Sequence, residues 1–467
     1  MNGSAGSASD RLRAAGLDDA GVGAWFAARQ ERTTDFEHDQ PGYSRFWQLS
    51  DDLLRRLPAK PKRGAAEAEA ATAIFACARD HRERFLAAHG VLVYDRLTRN
   101  RSTFVRIEEL VYDTAAAVPG LTPTREQVAA ENARPQRDKD GIQIDQGIFL
   151  AHVLADERNG LHLCHAMLMP RPQSVELLPK LALDDTIDLG KAEVARRGKA
   201  AFVTMKNPRF LNAEDETTLD ATEIAVDLAI LDPATEIAVL RGGPLDHPRY
   251  RGRRVLGSGI NLTHLYRGQI PFVWFLQRDL GFVHKLLRGV ARPDCIPDDV
   301  HGRGIEKPWI AAVDGFAIGG HCQILLTMDY VLAANDAFMT LPARKEGIIP
   351  GLANLRLPRF TGDRIARQAI QYERKLVCDS PEGRLICDEV APAEEMDATI
   401  ERLIDGLTNA GAVSAIGNRR AFRIVEEPLN LFRRYCSAYA RDQAYCCFSP
   451  ALIANLERNW GAHNRKA

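Results

Sequence analysis

Residues 311–323 read Ala-Ala-Val-Asp-Gly-Phe-Ala-Ile-Gly-Gly-His-Cys-Gln. A run of apolar residues that ends in paired glycines predicts a buried strand turning directly into a helix. Glycine takes positive φ and lets the backbone approach a ligand closely, so peptide N–H groups at such a turn can be aimed at one oxygen. Outward from this segment, short apolar runs at 201–205, 237–240 and 330–334 alternate with helical stretches at 217–231 and 365–372. Strands alternating with helices imply an α/β core with largely parallel pairing.

The flanks read differently. Residues 1–195 are rich in Ala, Arg, Glu and Leu, with helical periodicity at 67–89 and 105–118, and predict a mainly helical N-terminal domain. The Ser/Gly-rich first ten residues are expected to fray, and 134–141, carrying five charges and a proline, reads as a loop. The division is then a helical domain at 1–195, a catalytic core at 196–390 and a helical C-terminal region at 391–467, without an internal repeat. A chain of 467 residues exceeds one typical domain. With 61 basic and 62 acidic residues the net charge is -1, so no overall field draws nucleic acid or an anionic membrane. The start lacks the charged and apolar parts of a leader, and no stretch approaches the ~18 apolar residues of a membrane span. Nine irregularly spaced cysteines, Cys446 and Cys447 adjacent, argue against a disulfide framework and for a reducing cytoplasm.

A second glycine turn lies in Arg-Val-Leu-Gly-Ser-Gly-Ile-Asn-Leu at 254–262. One N–H from each turn aimed at the same oxygen makes an oxyanion hole, and a helix starting at the second turn adds its positive end. The plain alternative is two tight turns at strand ends.

Ser258-Gly259-Ile260-Asn261-Leu262 followed by Ala312 to Gln323 resembles the two signatures of the crotonase, or enoyl-CoA hydratase/isomerase, superfamily. Phe338-Met-Thr-Leu-Pro342, Gly347-Ile-Ile-Pro-Gly351 and Asn212-Ala213 extend the match. The resemblance implies a spiral of ββα units, with the acyl-CoA thioester carbonyl held by the backbone N–H groups of Ile260 and Gly320 in turns shaped by Gly259 and Gly319. Hydratases of this family carry one glutamate in the Gly-Gly helix and another after the proline of the third motif; this chain has Gln323 and Ala343 there. Neither transfers a proton as a carboxylic acid does, so water addition is not expected. Glu346, about one helical turn on, offers a shifted acid or base, or else a solvated glutamate.

Asn207-Pro-Arg-Phe-Leu-Asn-Ala-Glu-Asp215, Tyr250-Arg-Gly-Arg-Arg254, Gly259-Ile-Asn-Leu-Thr-His-Leu-Tyr266 and Leu341-Pro-Ala-Arg-Lys-Glu-Gly-Ile-Ile-Pro-Gly351 are most similar to one branch. That branch comprises cofactor-independent dioxygenases of 3,5-dihydroxyphenylacetyl-CoA in glycopeptide-antibiotic biosynthesis, and Gln323 fits it. The resemblance implies an arylacetyl-CoA and O2 as substrates, no metal and no flavin, and a homotrimer or hexamer. It also brings Arg278 to the acyl pocket as a catalytic group, against a surface arginine on an exposed helix. Glu214 then meets the ring hydroxyls, or is simply a helix N-terminal acid. His321 either touches substrate or packs behind the turn. Arg209 and the 251–254 cluster, Arg254 above all, meet CoA phosphates or form a solvated basic loop.

The residues themselves show little that would bind an oxygen-activating metal. His81-Arg-Glu83 is a His-x-Glu pair on a predicted helix, where residues two apart do not face each other. Gly257-Ser-Gly-Ile-Asn-Leu262 has leucine where a dinucleotide fingerprint needs its third glycine. His162-Leu-Cys-His165 reads as ordinary packed structure rather than a ligand pair. Two rivals to the oxygenase remain: a hydrolase or isomerase of the same fold using Glu346, and an inactive acyl-CoA-binding subunit that kept the turns. The first makes Glu346 indispensable, where the oxygenase is expected to depend on it less; the second predicts binding without O2 consumption.

Overall fold

A computed structural model describes residues 4–29, 31, 33–298 and 303–465. Ten strands lie among them: β1 Thr186–Asp188, β2 Ala192–Arg197, β3 Ala200–Met205, β4 Ile237–Gly242, β5 Val255–Gly257, β6 Trp309–Ile318, β7 Tyr330–Ala334, β8 Phe338–Thr340, β9 Leu376–Val377 and β10 Glu389–Ala391. The apolar run from Trp309 serves two sheets. Its first half pairs in parallel with β4 and β7, placing Ala312 opposite both Arg241 and Leu332. Its second half pairs in parallel with β5 and β8. The change of partner falls at Gly315, whose φ of 81° allows the strand to bend.

The main sheet runs β1-β2-β3-β4-β6-β7-β10, antiparallel across β1, β2 and β3 and parallel from β3 onward. β3 and β4 are buried at every position, as parallel strands covered on both faces must be, and both are mostly apolar, interrupted only by Thr204 and Arg241. Pairs of strands are followed by helices: β2 and β3 by Leu219–Leu231, β4 and β5 by Leu262–Tyr266 and Val273–Leu280, β7 and β8 by Ala343–Glu346 and Ala353–Tyr372. This is the expected succession of ββα units.

Helices from Ser4–Ala14 to Pro172–Asp184 precede the sheet, including the long Ala65–Leu97. The boundary expected at 195 falls inside β2, because the β1–β2 hairpin is a polar, half-exposed edge with too little apolar alternation to read as strand. The fraying expected for the first ten residues does not describe residues 4–10, which are helical; residues 1–3 lie outside the described residues. One apolar cluster runs from Leu12 to Ala462, so the flanking helices share a core with the sheet. The most extensive contact between the flanks sets Ile144–Ala155 against the C-terminal Leu429–Cys447 helix. A Cβ on Gly147 would lie 2.5 Å from Ala444 Cβ, which is why the smallest residue stands there.

The C-terminal region is locked to the core by charge. Arg356 is fully buried and donates from Nε and Nη2 to the two Glu427 carboxylate oxygens at 2.9 and 2.8 Å. Removing one partner of such a pair leaves an uncompensated buried charge. Glu427→Ala should therefore lower unfolding stability by about 3–5 kcal/mol, read from the urea midpoint; a loss below about 1 kcal/mol, the range of an exposed pair, would show that the lock is not structural.

Candidate active site

β5 and β6 are parallel neighbours, so their C-terminal ends fall at the same edge, where ligands of α/β sheets bind. Just beyond each strand lies a glycine of positive φ, Gly259 at 83° and Gly319 at 54°. The two turns touch: a Cβ on Gly259 would lie 2.9 Å from Ile318 O, and one on Gly319 3.5 Å from Gly259 Cα. Neighbouring N–H groups are engaged, Gly259 with His321 Nδ1 at 3.1 Å, Asn261 with Glu214 O at 2.7 Å and Gly319 with Thr340 O at 2.9 Å. Those of Ile260 and Gly320 have no acceptor among the described residues. Two open donors on touching turns have the form of an oxyanion hole.

Beneath them lies a buried ion pair. Arg278, on Val273–Leu280, is 3% exposed and so is Glu214. Arg278 Nε and Nη2 donate to Glu214 Oε1 and Oε2 at 2.8 and 3.0 Å, and Nη1 donates to Asp279 Oδ1 at 2.7 Å and Gln323 Oε1 at 3.0 Å. A further bond from Nη2 reaches Gly320 O at 2.7 Å. All five guanidinium N–H groups are thereby occupied. Burial works against the charge on Arg278, but Glu214 and Asp279 outweigh it and hold the guanidinium above its usual range.

The predicted site residues fare unevenly. Ile260, Gly320, Gln323, Arg278, Glu214, Gly259 and Gly319 line one small cavity. Arg278 is not a surface arginine, yet its fork is saturated by protein rather than free for phenolic oxygens. Glu214 is not a helix N-terminal acid; its backbone bridges Ile260, and the next long helix starts at Leu219. His321 packs behind the turn and lines neither cavity of the site. It is fully buried, its ring would clash at 2.2 Å with a Cβ on Gly257, and burial brings its pKa down to about 4, so its neutral ring accepts from Gly259 N–H. Arg254 is also displaced: it lines a separate cavity of about 140 Å³ with Arg241, Asp314 and Asp397. The cluster around it is not a free basic patch, because Arg253 binds Asp314 and Asp336, each at 2.6 Å, and Arg251 pairs with Asp246 at 3.3 Å.

The small cavity, about 40 Å³, is walled by Ala343, Ile348, Ile349 and Pro350 as well as the polar cluster. It adjoins a cavity of about 670 Å³ that carries Arg209, Lys345 and Arg465 together with Asn455, Asn459 and Trp460. Ser258, Ile260, Ile318 and Glu346 line both. Burial pushes the Glu346 carboxyl up to about 7, with Glu373 adding to the rise.

Sequence reasoning missed the C-terminal contribution. Tyr439, on Leu429–Cys447, is 4% exposed and lines the small cavity with a hydroxyl that has no hydrogen-bond partner among the described residues. Burial holds it well above the usual phenol range, so it stays a donor. The one available signal was Tyr435 and Tyr439 on the same helical face.

Asp215, Glu216 and His264 bring possible metal-binding atoms within 4.8 Å of one another. Asp215 is already engaged by Asn207, Asn261 and Thr217, at 3.0, 2.9 and 2.6 Å, and its carbonyl accepts from Trp274. The cluster thus braces the first turn. His162 lies 2.8 Å from Tyr94 Oη and stacks on Phe104, while His165 Nε2 meets Arg292 O at 3.0 Å, so neither ring is aimed as a ligand.

A Cβ on Gly320 would lie 2.2 Å from Glu214 Oε2 and 2.9 Å from Arg278 Nη2. Gly320→Ala should displace the donor turn and lower kcat/KM by about 10²–10³ while the far-UV circular dichroism stays unchanged; full activity would refute the role of this turn.

Residues 301–422 match the enoyl-CoA hydratase/isomerase family. A (3,5-dihydroxyphenyl)acetyl-CoA 1,2-dioxygenase of Amycolatopsis orientalis is 46% identical over 410 residues, 88% of this chain and 93% of that protein. A crotonyl-CoA hydratase of Syntrophomonas wolfei subsp. wolfei is 25% identical over 218 residues, 46% of this chain and 75% of the hydratase. Among solved structures, an enoyl-CoA hydratase/isomerase from Xanthobacter autotrophicus Py2 aligns at 21% identity and TM-score 0.48, covering 59% of this chain and 96% of that one. Identity of 46% that runs through the flanking helices as well as the core reaches beyond the catalytic motifs, and the chain belongs to the enoyl-CoA hydratase/isomerase, or crotonase, family.

Proposed function

We propose that the protein is a cofactor-independent dioxygenase that converts 3,5-dihydroxyphenylacetyl-CoA and O2 into 3,5-dihydroxyphenylglyoxylate and CoA. The observation that carries this reading is the near-full-length likeness to the Amycolatopsis dioxygenase. The site supports it. The thioester oxygen accepts from Ile260 and Gly320 N–H, which lowers the cost of removing an α-proton. The resulting carbanion, delocalised over thioester and ring, passes an electron to O2 and recombines as an α-peroxide. The peroxide attacks the thioester carbon and expels CoA; O–O cleavage with loss of the second α-hydrogen leaves the keto acid. One substrate and one O2 thus account for every atom of glyoxylate and CoA.

Gln323 and Ala343 suit this chemistry because neither returns a proton to the carbanion. The Ala343, Ile348, Ile349 and Pro350 wall offers O2 an apolar, water-poor setting. A cavity of about 40 Å³ is well short of the ~150 Å³ that accommodates benzene, so ring binding has to separate this wall from the oxyanion turns. Arg209, Lys345 and Arg465 fit the CoA phosphates. Self-association as a trimer or hexamer belongs to the same reading, supported by Val413, Phe422 and Val425, which are 88%, 65% and 83% exposed. So does a cytoplasmic location; among the described residues no helix is long and apolar enough to cross a membrane.

The unpaired Glu346 favours one rival, a hydrolase or isomerase. Metal-free, flavin-free protein given the substrate under isotopically heavy O2 separates the readings. Two labelled atoms in the aryl glyoxylate with release of CoA are expected. CoA release without O2 uptake would overturn the proposal for a thioesterase, and binding without turnover would overturn it for an inactive subunit. The Tyr439 hydroxyl is placed to meet a ring hydroxyl. Tyr439→Phe should lower kcat/KM for the dihydroxyphenyl substrate by about 2- to 13-fold, the worth of one hydrogen bond at 0.5–1.5 kcal/mol, and leave phenylacetyl-CoA unaffected; equal effects on both would contradict the contact.

A further inference from the structure

We propose that Glu346 is the general base that takes the α-proton of the bound thioester. The inference rests on the acyl-CoA oxygenase reading and names a group that the reading leaves open. A thioester carbonyl held by Ile260 and Gly320 puts the α-carbon one bond further, at the junction of the large and small cavities. Four side chains line both cavities, and of Ser258, Ile260, Ile318 and Glu346 only the last is a carboxylate. The other carboxylates of the small cavity, Glu214 and Asp279, are tied to Arg278. The Glu346 carboxylate has no hydrogen bond or ion pair among the described residues. Its neighbour Lys345 reaches Glu373 instead, at 3.2 Å. Gln323 cannot accept the proton, because its Oε1 is already bonded to Arg278 at 3.0 Å and an amide is a negligible base.

The setting suits the task. A base is most effective when its pKa lies near the working pH, and burial with the charge of Glu373 brings Glu346 to about 7. Lys345 on its own helix opposes that rise. Across the large cavity stand Arg209, His247 and Arg465, and across the small one Arg278 neutralised by Glu214 and Asp279. In the step itself the Glu346 carboxylate takes H⁺ from the α-carbon and the C–H electron pair stays on the substrate. That proton later goes to the departing CoA thiolate.

The test uses the full chain without O2, so that proton removal is read apart from oxygenation. Wild-type protein in D2O should exchange the α-hydrogens of 3,5-dihydroxyphenylacetyl-CoA, followed by mass spectrometry, at a rate that rises with pH through about 7 as Glu346 ionises. Glu346→Gln, which breaks no contact, should lower exchange and aerobic O2 uptake together by about 10²–10⁴ and flatten the pH profile. Glu346→Asp should restore part of both. Exchange by Glu346→Gln at the wild-type rate, or a pH rise that survives the substitution, would overturn the assignment. Exchange by the wild type without any O2 uptake would sink the oxygenase reading and leave the base in place.

Discussion

The Arg278–Glu214 ion pair holds the site together. Glu214 flanks Ile260 through its backbone, receiving Asn261 N–H and donating to Gly259 O, while its side chain binds Arg278. Arg278 in turn binds the carbonyl of Gly320. One buried pair therefore clamps both oxyanion turns, which come from different strands. Desolvating these charges is expensive, and it is offset only because every guanidinium N–H has an acceptor. The same pair dictates the second glycine. Gly319 is needed for its positive φ, whereas Gly320 is needed because Glu214 Oε2 occupies the space where a Cβ would be.

With its only buried arginine neutralised by two carboxylates, the small cavity offers a developing enolate no free positive charge. Stabilisation falls to two backbone N–H groups and the start of a short helix. That is enough to make an α-proton removable without quenching the electron density on carbon, which suits a substrate that must itself reduce O2. The absence of carboxylic acids at 323 and 343 points the same way, since no second acid stands there to deliver a proton to the carbanion.

Much of this was legible in the chain. The strand and glycine turn at 309–320 stand out because a strand buried on both faces is apolar nearly throughout, Asp314 excepted, and it runs into paired glycines. Gln323 and Ala343 were readable as departures because one sits at a fixed offset from the Gly319-Gly320 turn and the other directly after Pro342. Arg278 and Glu214 were found, but their pairing across 64 residues leaves no periodic trace, so groups facing the substrate were expected where a structural clamp stands. Arg254 was expected at the CoA phosphates because a run of arginines looks the same whether solvated or, as with Arg253, pinned by Asp314 and Asp336, which are distant in sequence. Tyr439 was missed because helix packing, set by contacts such as Gly147 against Ala444, and not any motif, brings the C-terminal helix over the site.

The central claim is that the thioester carbonyl sits on the open N–H groups of Ile260 and Gly320 within this clamp. Isotope-edited infrared spectroscopy of carbonyl-labelled arylacetyl-CoA bound without O2 tests it most directly. A carbonyl stretch shifted to lower frequency than in water, and returned toward the aqueous value by Gly320→Ala, is the predicted result. A bound carbonyl with its aqueous frequency in the wild type would contradict the account.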